Sequence, residues 1–141
     1  MSEISSLTIN QKKIACSDTV LFQNRIFFNG ASDDRNIGEY NYDLSSYLPN
    51  DDYDYLGYFM NFHIANNSST WSTCYLKDST TNYQYEISSV LNAGNFGYQI
   101  GTIWFPIPKN KIITKKIVDS NCDRCMLTFL GYQKLNSIEL V

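Results

Sequence analysis

Between residues 56 and 65 two interleaved sets of side chains run along the chain. Leu56, Tyr58, Met60, Phe62 and Ile64 are large and apolar, while Gly57, Asn61, His63 and Ala65 between them are small or polar. Successive side chains of an extended chain point to opposite faces, so a period of two predicts a β-strand. The apolar set is expected on the core, and the intervening set on a wet or small-residue face.

The same period recurs in shorter runs: Leu7 and Ile9, residues 13–15, residues 20–28, then Tyr40, Tyr42 and Leu44. Further runs cover residues 71–76, 83–87, 98–107, 112–118 and 126–135. Turn-forming clusters separate them, among them Leu48-Pro49-Asn50-Asp51-Asp52, Lys77-Asp78-Ser79-Thr80 and Asp119-Ser120-Asn121. About eight or nine strands at the 8–12-residue spacing of a sandwich or barrel predict an all-β, antiparallel β-sandwich of jelly-roll-like topology. The chain has 141 residues, the size of one domain, and residues 1–141 are read as a single sandwich. Ile87, Val90 and Leu91 fall at helical spacing before Gly94, which predicts one short helix there. Pro106 and Pro108 push the strand over residues 98–107 to a sheet edge or terminate it, and Lys115 and Lys116 mark residues 112–118 as an exposed edge.

A net charge of −3 argues against a nucleic-acid binder, which needs Lys and Arg to neutralise phosphates, and against an anionic-membrane binder. Lys109, Lys111, Lys115 and Lys116 form one basic cluster, read as a solvated strand-and-turn face, with a surface for an acidic partner or a DNA-facing capsid surface as the alternatives. No apolar run approaches a membrane span, and the first six residues lack the basic and apolar regions of a secretory signal. Synthesis in a cytoplasm without export by that route is the expectation.

Chemistry-bearing motifs are few. Cys122-Asp123-Arg124-Cys125 is a CxxC pair, but a zinc ribbon needs a second pair, and only the scattered Cys16, Cys74 and the single His63 remain. A redox CxxC belongs at a helix N-terminus, whereas this one precedes a strand. The cysteines are therefore read as structural thiols, with no metal and no cofactor expected. His63 is expected on the strand face opposite the core, with no nucleophile or orienting acid in a recognisable motif. Asp51, Asp52 and Asp54 read as a solvated turn, with a loose calcium site as the alternative. No catalytic residues and no enzyme are predicted.

Aromatic residues make up 15% of the chain, more than a two-layer core requires. Tyr47, Tyr53, Tyr55, Trp71, Tyr83 and Tyr85 are the candidate interface or ligand-binding aromatics, because Tyr and Trp bury an apolar body while offering a polar handle. The same residue types suit a carbohydrate-binding face.

Tyr42-Asp43-Leu44-Ser45-Ser46-Tyr47-Leu48-Pro49 contains a D-L-S-x-Y-L-P turn leading into the strand to Ile64. Pro106-Ile107-Pro108-Lys109-Asn110 is similar to a P-I-x-K-G turn, with Asn110 in place of the usual Gly. The closing Leu127-Thr128-Phe129-Leu130-Gly131-Tyr132-Gln133-Lys134-Leu135 is similar to a final strand ending in Gly-Tyr and a basic residue, though Gln133 stands where Arg is common. In these stretches the chain resembles small β-sandwich virion proteins of tailed bacteriophages, of the fibre-tip or capsid-decoration type. The resemblance implies a non-enzymatic structural protein of a virion, attached to capsid or tail, with other virion proteins as partners. It also implies a homo-oligomer, a trimer being the favoured symmetry. The alternative is a carbohydrate- or receptor-binding module that recognises a host-surface glycan.

Overall fold

The strands pair as one long hairpin rolled over on itself. The computed structural model describes residues 6–9, 12–15, 19–28, 30, 32–66, 70–92 and 97–135. A short antiparallel pair, β1 (Ser6–Ile9) and β2 (Lys12–Ala15), comes first. Then β3 (Thr19–Phe28) pairs with β10 (Cys122–Leu135), and β4 (Gly38–Asp43) pairs with β9 (Ile112–Ile117). Next β5 (Asp54–Ala65) pairs with β8 (Gly97–Pro106), and β6 (Trp71–Asp78) with β7 (Tyr83–Leu91). Two further pairings, β10 with β5 and β9 with β6, complete antiparallel four-stranded sheets of order β3-β10-β5-β8 and β4-β9-β6-β7. This is the order of a jelly roll, and the all-β sandwich expected from the alternation is what forms.

Local chemistry explains where strands stop. Asp78 accepts hydrogen bonds from the backbone and hydroxyl of Thr80, and Asn82 adopts φ 59°, so the chain reverses between β6 and β7. As the chain enters the 3₁₀ turn Ser45–Tyr47, Asp43 accepts from the Ser45 amide at 2.9 Å. No helix forms near Val90: β7 continues through Leu91, where cross-strand pairing with Trp71 and Ser72 overrides the local helical spacing. Gly94, the predicted cap, lies outside the described residues.

The core has two compartments. At one end Phe59, Phe129, Leu127, Phe105, Ile113, Leu76 and Leu44 from both sheets form an apolar cluster with Tyr42 and Tyr55. Phe59 and Phe129 stack at 5.0 Å on adjacent strands, and Phe28 stacks on Tyr42 of the opposite sheet at 4.7 Å. The other compartment is small and sulfur-rich, with Cys74, Ile117, Cys122 and Cys125 buried together.

Two expectations about orientation are corrected. In β5 the buried set is Tyr55, Gly57, Phe59, Asn61, His63 and Ala65, while Leu56, Tyr58, Met60, Phe62 and Ile64 point outward and are only half-buried. Phe59 supplies the apolar anchor on the inward face, Gly57 makes room for its ring, and hydrogen bonds satisfy the inward Asn61 and His63. The second correction concerns β9, which is an interior strand between β4 and β6; Lys115 on it is fully buried, not an edge guard. The edge role predicted for residues 98–107 does hold: β8 closes one side of its sheet, and Pro106 ends it.

Candidate functional site

The polar residues of β5 converge on the sulfur-rich compartment. His63 sits inward on β5, fully buried, with Nδ1 2.8 Å from Ser88 Oγ of β7 and Nε2 2.8 Å from Ser72 Oγ of β6. Asn61 Nδ2 donates to the same Ser88 Oγ at 2.7 Å, and its Oδ1 accepts from the Cys125 thiol at 3.3 Å. Cys74 Sγ lies 3.8 Å from His63 Nε2. His63 Nε2 or Nδ1 and the sulfurs of Cys74 and Cys122 all fall within 4.8 Å of one another.

A backbone irregularity creates this grouping. Residues three apart on a regular strand face opposite sides, so Cys122 and Cys125 would diverge. The β10–β5 register shifts between Cys122 and Arg124, and a bulge at Asp123 returns both thiols to the inner face. Sequence reasoning treated Cys74 and His63 as scattered relative to the CxxC pair; folding brings them to it. Alternation alone does not reveal the bulge. The detectable signal is Phe59, a large apolar residue within the otherwise small or polar set of β5. Cys16 lies outside the described residues.

The electrostatics are uneven. Hydrogen bonding from Cys74, together with His63 and Ser72, holds the Cys122 thiol down at about 5 against the opposing effect of burial. Hydrogen bonds with Cys122 and Cys125, reinforced by burial, push Cys74 upward, and the Cys122 sulfur also lies 3.5 Å from the Asp34 carbonyl. Beside it, the buried Lys115 ammonium donates to the Cys125 carbonyl and lies 5.7 Å and 6.0 Å from the ring centres of Tyr42 and Tyr40. The ion pairs among the described residues are Lys77–Glu39 and Lys109–Asp54, so no carboxylate reaches Lys115 at contact distance. Burial raises Asp34, which senses Lys115 from farther away.

No protein-family model and no curated protein matches the chain.

The six aromatic candidates separate. Tyr55 is buried, its hydroxyl donating to the Asp51 carboxylate, so it offers no contact surface. Tyr53 is exposed with Lys134 Nζ 3.5 Å above its ring, and Tyr47 is partly open beside Phe22 and Phe129. Trp71, Tyr83 and Tyr85 are exposed near the open side where β7 and β8 leave their sheets unclosed. Tyr83 and Tyr85 line a shallow hollow with Trp104 and Pro106, and Trp71 lines another with Tyr98. The basic cluster does not form a patch: Lys109 pairs with Asp54 at 2.7 Å, Lys111 donates to the Pro49 carbonyl, and Lys115 is buried. Asp51 and Asp54 are likewise engaged, by Tyr55 and Lys109.

The feature that sequence reasoning missed is the outside of the β3-β10-β5-β8 sheet. Leu56, Tyr58, Met60, Phe62 and Ile64 lie there opposite Pro106, Trp104, Thr102, Ile100 and Tyr98 of β8, with no charged residue among them. Tyr98 and Ile100 are 60% and 59% exposed. On the flanking strands Met126 lies opposite Phe62, and the exposed Phe27 and Leu21 extend the face through β3.

Proposed function

We propose that this chain is a non-enzymatic assembly subunit whose β3-β10-β5-β8 sheet packs its outer face against a second copy of the chain. The observation that carries the reading is the uncharged apolar surface of β5 and β8. At about 3.3 Å per residue and about 4.8 Å between strands, these two strands and their neighbours give a face of the order of 500 Å² in projection. Isolated apolar patches of that size mark interaction sites, and a standard interface takes about 800 Å² from each partner once side-chain relief is counted. The face carries no charge on β5 and β8, and the exposed Arg124 of β10, opposite Ile64, lies toward one end of it, so two copies can oppose the β5 and β8 surfaces while this cation stays at the rim. The turn resemblances of the sequence support placing the assembly on a bacteriophage virion, as a capsid- or tail-attached subunit with other virion proteins as partners. They also favour a trimer. Jelly rolls serve both viral capsids and lectins, so the fold is neutral between the two readings.

Light scattering at micromolar and tens-of-micromolar concentration tests the assembly, and a mass that is a multiple of 16.2 kDa is expected. A monomer mass at both concentrations overturns it. Co-sedimentation with assembled particles tests the virion assignment separately.

The exposed Trp71, Tyr83 and Tyr85 beside the two hollows favour a second reading, a carbohydrate- or receptor-binding module for a host-surface glycan. Quenching of tryptophan fluorescence by glycans, retained in a monomeric variant, is its distinguishing result.

A further inference from the structure

We propose that His63, Cys74, Cys122 and Cys125 hold one zinc ion in a structural Cys₃His site that ties the two sheets of the sandwich together. The donors come from three strands: His63 from β5, both CxxC thiols from β10 in the same sheet, and Cys74 from β6 in the opposite sheet. Tetrahedral zinc with Zn–S near 2.3 Å and Zn–N near 2.0–2.1 Å sets its donor atoms roughly 3.6–3.8 Å apart. Cys74 Sγ and His63 Nε2 already stand at 3.8 Å, and the three-donor group spans no more than 4.8 Å. Contraction by about 1 Å completes three ligands.

Cys125 is the fourth. It faces inward directly opposite His63, but its sulfur stands outside the group formed by the other three donors, so it must turn inward and give up the hydrogen bond it donates to Asn61 Oδ1 at 3.3 Å to join them. The bulge at Asp123 matters because it is the device that lets a CxxC pair on a strand turn both sulfurs to the inner face.

The surroundings supply what such a site requires. With Nε2 on the metal, His63 Nδ1–H donates to Ser88 Oγ, itself held by Asn61, which orients the ring. Ser72 Oγ, hydrogen-bonded to Nε2 at 2.8 Å, must leave that nitrogen when the metal takes it, and is then free to donate to a ligand sulfur. Three thiolates and a neutral imidazole around Zn²⁺ carry one net negative charge, which a buried site must balance. Lys115 does so: its ammonium bonds the Cys125 carbonyl and, among the described residues, meets no carboxylate at contact distance. N/S donor sets of this softness and closed geometry select zinc over oxygen-seeking cations. Binding takes up Zn²⁺, forms three Zn–S bonds and one Zn–N bond, and releases to solvent the protons of those thiols that were still protonated.

The test uses the full reduced chain, stripped of metal under reductant and titrated with Zn²⁺ or Co²⁺ alone. One equivalent should bind, with cobalt giving the intense visible bands and near-ultraviolet thiolate charge-transfer band of a tetrahedral sulfur-rich site. Zinc in about thousandfold excess over its dissociation constant should raise the melting temperature by roughly 10 °C or more. Cys122→Ser and Cys125→Ser should each weaken or change the cobalt spectrum, while Cys16→Ser should leave it intact. Absence of stoichiometric binding by the reduced wild-type chain overturns the proposal without requiring any variant to fold. So does a native Cys74–Cys122 disulfide found by peptide mass mapping, or a cobalt spectrum indifferent to both CxxC variants.

Discussion

Tyr58 and Trp104 stack on the outside of the sandwich, their ring centres 4.5 Å apart and their planes 26° from parallel. The pair sits mid-face on β5 and β8, where the sheet offers aromatic surface and no charge. Converting both to lysine should abolish self-association, giving a monomer mass by light scattering. The cost to folding should stay near 1 kcal/mol, since a stacked pair contributes about 0.5–1.5 kcal/mol beyond its buried area. An unaltered oligomer mass would place the contact elsewhere on the molecule.

Phe59 is the inward counterpart of that face. It is fully buried and stacked on Phe129, so truncation empties the middle of the apolar compartment. Phe59→Ala is expected to destabilise the chain by about 3–5 kcal/mol, measured by urea unfolding. A loss below about 1 kcal/mol would mean that the core is centred elsewhere.

Gly57 carries no side chain because its neighbour's ring fills the space. A Cβ there would overlap the Phe59 ring and approach Ile107 Cδ1 at 3.2 Å. Gly57→Ala should therefore cost about 1–3 kcal/mol by overpacking, although alanine is otherwise better suited to a strand than glycine. Gly101 is the control: its Cβ position is open, and Gly101→Ala should be neutral or stabilising in the same thermal melts.

The Tyr55 hydroxyl donates to Asp51 and is the chief cause holding that carboxyl below its ordinary value of 3.8, while burial and Asp51 push Tyr55 above 10. A depressed acid stabilises the fold fully above its unfolded pKa and loses that contribution as pH falls through the folded one. A raised tyrosine stabilises below its unfolded pKa and loses the contribution as pH climbs past it. The melting-temperature gap between wild type and Tyr55→Phe should thus be widest from about pH 5 to 9, shrinking on both sides. A gap independent of pH from 2 to 11 would remove the hydrogen bond as its cause.

Much of the architecture was legible in the chain. Period-two runs and turn clusters identify an antiparallel sandwich because alternation and reversal are local properties of the backbone. Pro106 marks its edge for the same reason, as it lacks a ladder donor. Lys115 shows where local reasoning ends: lysine is normally a surface residue, and only the placement of β9 between β4 and β6, with the Cys125 carbonyl as acceptor, puts it inside.

The same division holds at the candidate sites. The sequence by itself determined that β5 alternates, that aromatics exceed what a small core needs, and that two thiols lie three residues apart. Which face of β5 turns inward was decided by tertiary partners, because Ser72, Ser88 and the space beside Gly57 exist only once β6 and β7 are in place. The grouping of His63, Cys74 and Cys122 arose in the same way, from a bulge on β10 and the approach of Cys74 from the opposite sheet, in a cluster spanning 59 positions of the chain (122 less 63). Alternation specifies two faces, but burial energy and hydrogen-bond partners, contributed by distant strands, choose between them.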